Sequence, residues 1–284
     1  MRKLLAIFAH PDDESFGPGG SLAKYAANGV AVHYLCGTRG EAGTVDARQL
    51  NGYTSVAELR TAELMRAADA LGLASVRFLG YHDSGMACPE GADPAILCAA
   101  PLDEVAQRII GFLDQLNPDA VITHDRFGGY GHPDHIKLHQ AVLRAYELRY
   151  GARWSLGADG LIRLACDMPA PRLYFTVIPR GWLKVAVRLL PLLGQDPRRF
   201  GRNHDIDLVR IASWEMPITT WVDVRRYIEH KQRASACHAS QQPLGRQSWL
   251  ARLIFRRAQT TECFSRAWPP FQPRERRETG LLGD

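Results

Sequence analysis

Lys3-Leu4-Leu5-Ala6-Ile7-Phe8-Ala9-His10-Pro11-Asp12-Asp13-Glu14 is the stretch from which the rest of the chain is read. The apolar run has the length of one buried strand, and the polar cluster begins where that strand ends. In an open α/β sheet, ligands bind just beyond the carboxyl ends of the strands. A histidine and three carboxylates therefore stand where an active site is expected. A second cluster, Gly131-His132-Pro133-Asp134-His135, comes after another apolar run, Ala120-Val121-Ile122-Thr123. Two such clusters can meet around one metal ion.

Working outward, strand-like and helix-like segments alternate through the first half. Strands are expected at 4–8, 30–36, 76–79 and 120–123, and helices within 17–29 and at 54–71, 102–116 and 132–150. Gly29, Gly72 and Asn117-Pro118 supply the stop signals. Strands separated by helices predict βαβ units, right-handed crossovers and an α/β fold, a Rossmann-like, mostly parallel sheet flanked by helices. In the common order 3-2-1-4 the first and fourth strands are neighbours, which brings the two polar clusters to one crevice. The C-terminal region reads as less regular. Residues 151–205 are rich in Pro and Arg around a strand-like run at 173–178, and 222–237 reads as a helix. The expected organisation is a catalytic core over 1–150, a substrate-shaping or lid region over 151–273 that completes the same domain, and a flexible tail over 274–284.

Composition narrows the function. The 284 residues are 46% hydrophobic and 23% charged, as in an ordinary soluble globular protein. No stretch approaches the ~18–20 apolar residues that cross a bilayer. The opening apolar run is too short for a secretory signal, so a cytoplasmic location is expected. Residues 182–193 are apolar and could form a lid, a homo-oligomer contact or a membrane-surface helix. Their cations form no clean polar face, which favours the lid or a packing helix. The six cysteines include no C-x-x-C pair and read as reduced structural thiols. The formal charge of +5 comes largely from arginines such as Arg225-Arg226, Arg256-Arg257 and Arg276-Arg277. They are interleaved with acids and apolar residues, with no repeated aromatic-basic platform, so nucleic acid is not an expected partner.

A catalytic zinc needs about three protein ligands and an open position. His10 and Asp13 lie three apart on the turn after the first strand. His132 and His135 lie three apart at the opening of a helix, on one face of its first turn. His10, Asp13 and His135 are the chosen ligands, because two neutral imidazoles and one carboxylate leave a divalent ion an effective Lewis acid. Two histidines and a carboxylate also suit Fe2+ or another divalent metal. Asp12 is the natural general base for the water. Glu14 reads as a helix start or as a partner of a ligating histidine. His132 is left to assist an oxyanion or leaving group, and Tyr130, in Gly128-Gly129-Tyr130-Gly131, can donate its hydroxyl to the same oxyanion. Gly17-Pro18-Gly19-Gly20 could cradle a phosphate, but no G-x-G-x-x-G or Walker pattern is present.

With these motifs the chain resembles the PIG-L-like (LmbE-like) family of zinc-dependent de-N-acetylases. The matching residues are Ala9-His10-Pro11-Asp12-Asp13-Glu14 and Gly131-His132-Pro133-Asp134-His135. Thr38-Arg39-Gly40-Glu41-Ala42-Gly43, residues 60–63, Tyr81-His82-Asp83-Ser84-Gly85-Met86 and residues 231–241 support them. The extended forms around Asp83 and Tyr130 look most like the branch containing the mycothiol-pathway deacetylase and mycothiol conjugate amidase. The resemblance implies removal of an acyl group from the 2-amino group of an N-acetylglucosamine conjugate. It also implies zinc on His10, Asp13 and His135, Asp12 as base, and His132 with Tyr130 at the oxyanion. Arg60, Asp83, Glu41 and His238 are implied substrate contacts, with a structural role open for His238. The alternatives are an amidase acting on a glucosamine-linked cysteinyl conjugate and a non-catalytic, metal-bound sugar-binding protein.

Overall fold

The computed structural model describes residues 1–50, 52–200, 206–242, 260–272 and 274–283. The chain begins with β1 (Lys3–Phe8), α1 (Asp13–Phe16), α2 (Gly19–Ala27), β2 (Ala31–Cys36), α3 (Ala47–Leu50), α4 (Val56–Leu71) and β3 (Ser75–Phe78). It continues through α5 (Leu102–Leu116), β4 (Ala120–Thr123), α6 (Gly128–Gly131), α7 (Pro133–Tyr150), β5 (Arg153–Leu156), β6 (Ile162–Ala165) and β7 (Arg172–Val177). The last elements are α8 (Arg180–Leu189), α9 (Leu208–Ser213), β8 (Thr220–Asp223), α10 (Ile228–Cys237) and β9 (Thr261–Trp268).

The main sheet runs β3-β2-β1-β4-β7-β9-β8, and β5 with β6 forms a separate hairpin. β3, β2, β1, β4 and β7 are parallel, while β9 pairs antiparallel with both β7 and β8. β1 is central because Leu4 to Ala9 are buried on both sheet faces, as a parallel strand between helix layers must be. Ile7 lies beside Thr123 and Phe8 beside Cys36, so His10 emerges just past the ends of both neighbours. One core layer joins α5 and α7 through Val105, Ile109, Leu138 and Val142. The other packs α2, α4 and α10 through Leu22, Leu64, Leu71 and Ala234.

Local chemistry sets the element ends. Ser55 caps α4 by accepting from Glu58 N at 3.1 Å, and Gly72 ends it in the left-handed region. α7 starts with Pro133 at its first position and His132 as its cap, where a missing N–H costs nothing.

Several expectations need correction. Residues 222–237 do not form one helix, since the segment opens within β8 and turns helical only at Ile228. β9 has no counterpart in the sequence reading, because its polar side chains are buried against partners. Glu262 meets Lys231, and Arg266 meets Glu275 and Glu278. The expected flexible tail instead docks on the sheet. Glu278 accepts from Arg172, Arg266, Tyr174 and Thr220, and Leu281 is fully buried. Cys88 and Cys98 are joined in a disulfide rather than standing as thiols, because the loop after Asp83 folds back on itself. The 182–193 segment is α8 followed by a short turn at Leu190–Leu193, with Leu183 packed on Ile211 and Ala212. Among the described residues, no helix is long and apolar enough to cross a membrane. Arg256-Arg257 lies outside the described residues.

Candidate metal centre

The turn after β1 is wired by the Asp13 carboxylate. Its Oδ2 accepts from Ala9 N at 3.1 Å and His10 N at 2.8 Å. Asp12, between them, takes φ 122°, a region costly for any residue with a Cβ. Three contacts hold it there. Glu14 Oε2 accepts from Asp12 N at 3.0 Å, and the Arg60 guanidinium donates to Pro11 O at 2.6 Å and to Asp12 Oδ2 at 3.1 Å.

β4 and α7 supply the other half. His132 Nδ1 accepts from Asp134 N at 3.2 Å, the cap of α7. In the neutral ring that leaves the proton on Nε2, available to donate. One turn on, His135 projects to the same point. A Cβ on Gly128, at φ +63°, would lie 2.9 Å from Ile136 and 3.0 Å from the His135 Cβ. Only glycine lets the loop pass so close to α7. Tyr130 then sits edge-on to His132 and His135, with ring centroids 5.8 Å and 5.3 Å away.

The two halves meet. His10 Nδ1 lies 3.1 Å from His135 Nε2. Asp13 closes the triangle, with Oδ2 3.7 Å from His10 Nδ1 and Oδ1 3.4 Å from His135 Nε2. His132 with His10 and His135, and His124 with Asp13 and His135, also lie within shared ligand reach. Burial holds His135 well below its ordinary pKa, which keeps the imidazole neutral with a lone pair to offer. Burial opposes charge on His10 as well, but Asp134 and Asp83 outweigh it and push His10 up to about 10. Burial likewise opposes charge on Asp13, yet His135 and His124 hold it well below the usual carboxylate range. The cluster is thus short of positive charge, and its donors are nitrogen and carboxylate oxygen. Both features fit a divalent cation.

Burial pushes the Asp12 carboxyl up to about 7 against the pull of Arg60, a range suited to taking a proton near neutrality. Burial pulls His132 down to about 4 and pushes Tyr130 well above 10, so both stay protonated as neutral donors.

The remaining candidates fall in different places. Asp83 touches His10 Nε2 at 3.3 Å and accepts from Gly85 N at 2.8 Å. Glu41 Oε1 pairs with His82 Nδ1 at 2.6 Å, while its Oε2 is buried with no partner among the described residues. Arg60 is 4% exposed and bound to Gly40 O, Pro11 O and Asp12, so its guanidinium belongs to the loop. Of the two roles left open for His238, its surroundings favour the structural one: it is 0% exposed and bonds Glu14 Oε1 at 2.6 Å. Glu14 correspondingly pairs with His238 and Asp12 N rather than with a ligating histidine.

Two residues of the cluster were given no role by the sequence reading. Asp134 Oδ2 meets His10 Nε2 at 3.2 Å and accepts from Ser84 N at 2.9 Å. His124, just past β4, accepts from Ala9 N at 3.1 Å and stacks on His135 at 3.7 Å. Its signal was the strand-end position that singled out His10.

Known proteins resemble the chain throughout. The family model for GlcNAc-PI de-N-acetylase (PIG-L) matches residues 5–146. A 1D-myo-inositol 2-acetamido-2-deoxy-alpha-D-glucopyranoside deacetylase of Geodermatophilus obscurus is 34% identical over 84% of this chain and 83% of its own length. The Rhodococcus erythropolis protein of the same name is 33% identical over 99% of this chain and 97% of its own. Among solved structures, N,N'-diacetylchitobiose deacetylase from Pyrococcus horikoshii aligns with a TM-score of 0.60 at 21% identity, covering 93% of this chain and 83% of that one. The 4-carboxy-2-hydroxymuconate hydratase GalB from Pseudomonas putida aligns at 0.59 with 19% identity, over 97% of this chain and 100% of its own. One fold thus carries both a deacetylase and a hydratase, and the chemistry must be argued from side chains.

Proposed function

The chain belongs to the GlcNAc-PI de-N-acetylase (PIG-L) family, and on that premise we propose that it is a zinc-dependent hydrolase removing the acetyl group from the 2-amino group of an N-acetylglucosamine conjugate. The reading is carried by the approach of His10 Nδ1 to His135 Nε2, 3.1 Å apart, with the Asp13 carboxylate beside both. These three residues would hold the ion. Bound there, zinc supplies a Lewis acid that lowers the pKa of water toward ~7 and polarises a carbonyl.

The chain's own groups do the rest. Asp12 accepts the proton of the attacking water, and Arg60 fixes the direction of its carboxylate. The Tyr130 hydroxyl and the His132 Nε2–H donate to the oxyanion that develops on the acetamide oxygen. Asp12 then returns its proton to the amine as acetate leaves. Asp134 and Asp83 accept from His10 Nε2, which turns Nδ1 toward His135. Glu41, whose Oε2 has no partner among the described residues, is assigned to a sugar hydroxyl on the strength of the family resemblance.

The test is acetate release by zinc-loaded protein from N-acetylglucosaminyl inositol and other N-acetylglucosaminides, with a glucosamine-linked cysteinyl conjugate as the amidase arm. Release from the acetylated sugars without oxygen consumption supports the reading. Binding without release from any of them would leave a sugar-binding protein. Activity restored better by Fe2+ than by zinc would reassign the metal.

A further inference from the structure

The loop that carries Tyr130 has few side chains of its own to fix it. In Gly128-Gly129-Tyr130-Gly131 every residue but the tyrosine is glycine. Gly129 takes φ 68° and ψ −68°, outside the helical region and open only to a residue without a Cβ. Glycine backbone is free to sample many conformations, so contacts from elsewhere must select this one.

Asp125 makes those contacts. It lies just past β4 and is 1% exposed, and its Oδ1 accepts from Phe127 N at 2.8 Å and from Gly129 N at 3.0 Å. Its carbonyl oxygen accepts from Gly128 N at 3.0 Å. Three successive amides therefore end on one residue, two of them on a buried carboxylate, the stronger kind of acceptor. Phe127 is also held through its ring, which stacks on Trp214 with centroids 5.0 Å apart. Gly129 has no side chain to hold, and the Asp125 bond fixes the residue directly before Tyr130. Across from Asp125 stands Arg180, 9% exposed, with Nη2 4.0 Å from Oδ2. That is beyond hydrogen-bond reach, so Arg180 serves as a buried counter-charge and leaves Oδ1 to the loop.

We propose that Asp125 is a positioning residue for the hydrolysis: by holding the Gly129 amide, it sets where Tyr130 stands against His132 and His135. This rests on the deacetylase reading, in which the Tyr130 hydroxyl donates to the oxyanion.

The test uses Asp125→Ala/Arg180→Leu and Asp125→Asn/Arg180→Leu. Removing Arg180 together with the carboxylate leaves neither charge buried without its partner, which guards the fold. The two variants differ in the side-chain oxygen that can accept from Phe127 and Gly129, which asparagine keeps and alanine lacks. Both are made with Tyr130 intact and with Tyr130→Phe, and acetate release from an N-acetylglucosamine conjugate is measured on zinc-loaded protein. The alanine variant is expected to lose about a hundredfold in kcat, the cost of misplacing a group by about 1 Å, with KM and zinc content unchanged. The asparagine variant recovers most of that loss. In the Tyr130→Phe background the alanine variant costs nothing further, because the hydroxyl it would misplace is gone. A full further loss in that background, or an asparagine variant as slow as the alanine one, would overturn the proposal.

Amide hydrogen exchange on wild type, read by NMR, needs no variant. Slow exchange at Phe127 and Gly129 supports the proposal, and rapid exchange at Gly129 sinks it. If wild type releases no acetate, the deacetylase reading falls by itself, and exchange still decides whether Asp125 holds the loop. If wild type turns over and Tyr130→Phe is equally fast, that reading stands and the positioning role falls.

Discussion

His238 Nε2 and Glu14 Oε1, 224 positions apart in the chain, meet at 2.6 Å in a site that is 0% exposed on both sides. Burial alone would lower the His238 pKa, but the Glu14 carboxylate outweighs it and raises it. The other Glu14 oxygen holds the Asp12 amide. α10 thereby reaches the backbone that carries the candidate base.

Glu14→Gln and His238→Gln are expected to lower kcat by about ten- to a hundredfold with KM and zinc affinity little changed, the range for outer partners of a site. Steady-state kinetics beside zinc titration checks this. An equal loss of zinc affinity would make the pair part of the metal site instead.

His124 stacks on His135 and accepts from Ala9 N, so it props the cluster without being one of the three chosen ligands. His124→Asn should weaken zinc binding by about ten- to a hundredfold, whereas His135→Ala should abolish it. Equal, complete loss in both variants would promote His124 to ligand.

The docked C-terminal residues give a stability prediction. Glu278→Ala leaves Arg266 buried and short of a partner, since among the described residues it otherwise keeps one carboxylate, Glu275. Urea unfolding should show a loss of about 3–5 kcal/mol, the size expected when one member of a buried pair is removed. A change below about 0.5 kcal/mol, as for a surface site, would contradict the docking.

His139 tests acid stability. Burial lowers it to about 4, and its Nδ1 donates to His124 O at 3.0 Å. The unfolded chain binds this proton more readily, so folding stability is lost as pH falls below about 6.5, until the folded form also titrates near 4. The shift corresponds to about 3 kcal/mol at most. His139→Asn should flatten the stability curve across that window, as read by urea unfolding at several pH values. An unchanged slope would contradict the assignment.

Much of this was legible in the sequence because the first half is locally consistent. Leu4 to Phe8 of β1 and Ala120 to Ile122 of β4 are continuously apolar, and α5 keeps one buried stripe through Val105, Ile109 and Leu113. Strand order followed from the crossovers, and with it the meeting of His10 and His135. What stayed hidden depends on distant partners. β9 buries Glu262 and Arg266, charged residues that interrupt any apolar strand pattern and whose partners Lys231 and Glu278 are not adjacent in sequence. The two roles left open for His238 could not be separated in the sequence, because nothing local reveals that Glu14 faces it. Cys88 and Cys98 lie ten apart, and only the fold of the intervening loop brings them together.

The central claim is that His10, Asp13 and His135 share one ion beside the base Asp12. The most direct measurement is acetate release from an N-acetylglucosamine conjugate with zinc content read on the same samples, for wild type, Asp12→Ala and His135→Ala. The account predicts one zinc per chain and turnover in wild type. It predicts retained zinc with kcat reduced by about 10²–10⁴ in Asp12→Ala, and neither zinc nor turnover in His135→Ala. Full zinc occupancy in His135→Ala, or near-normal kcat in Asp12→Ala, would contradict it.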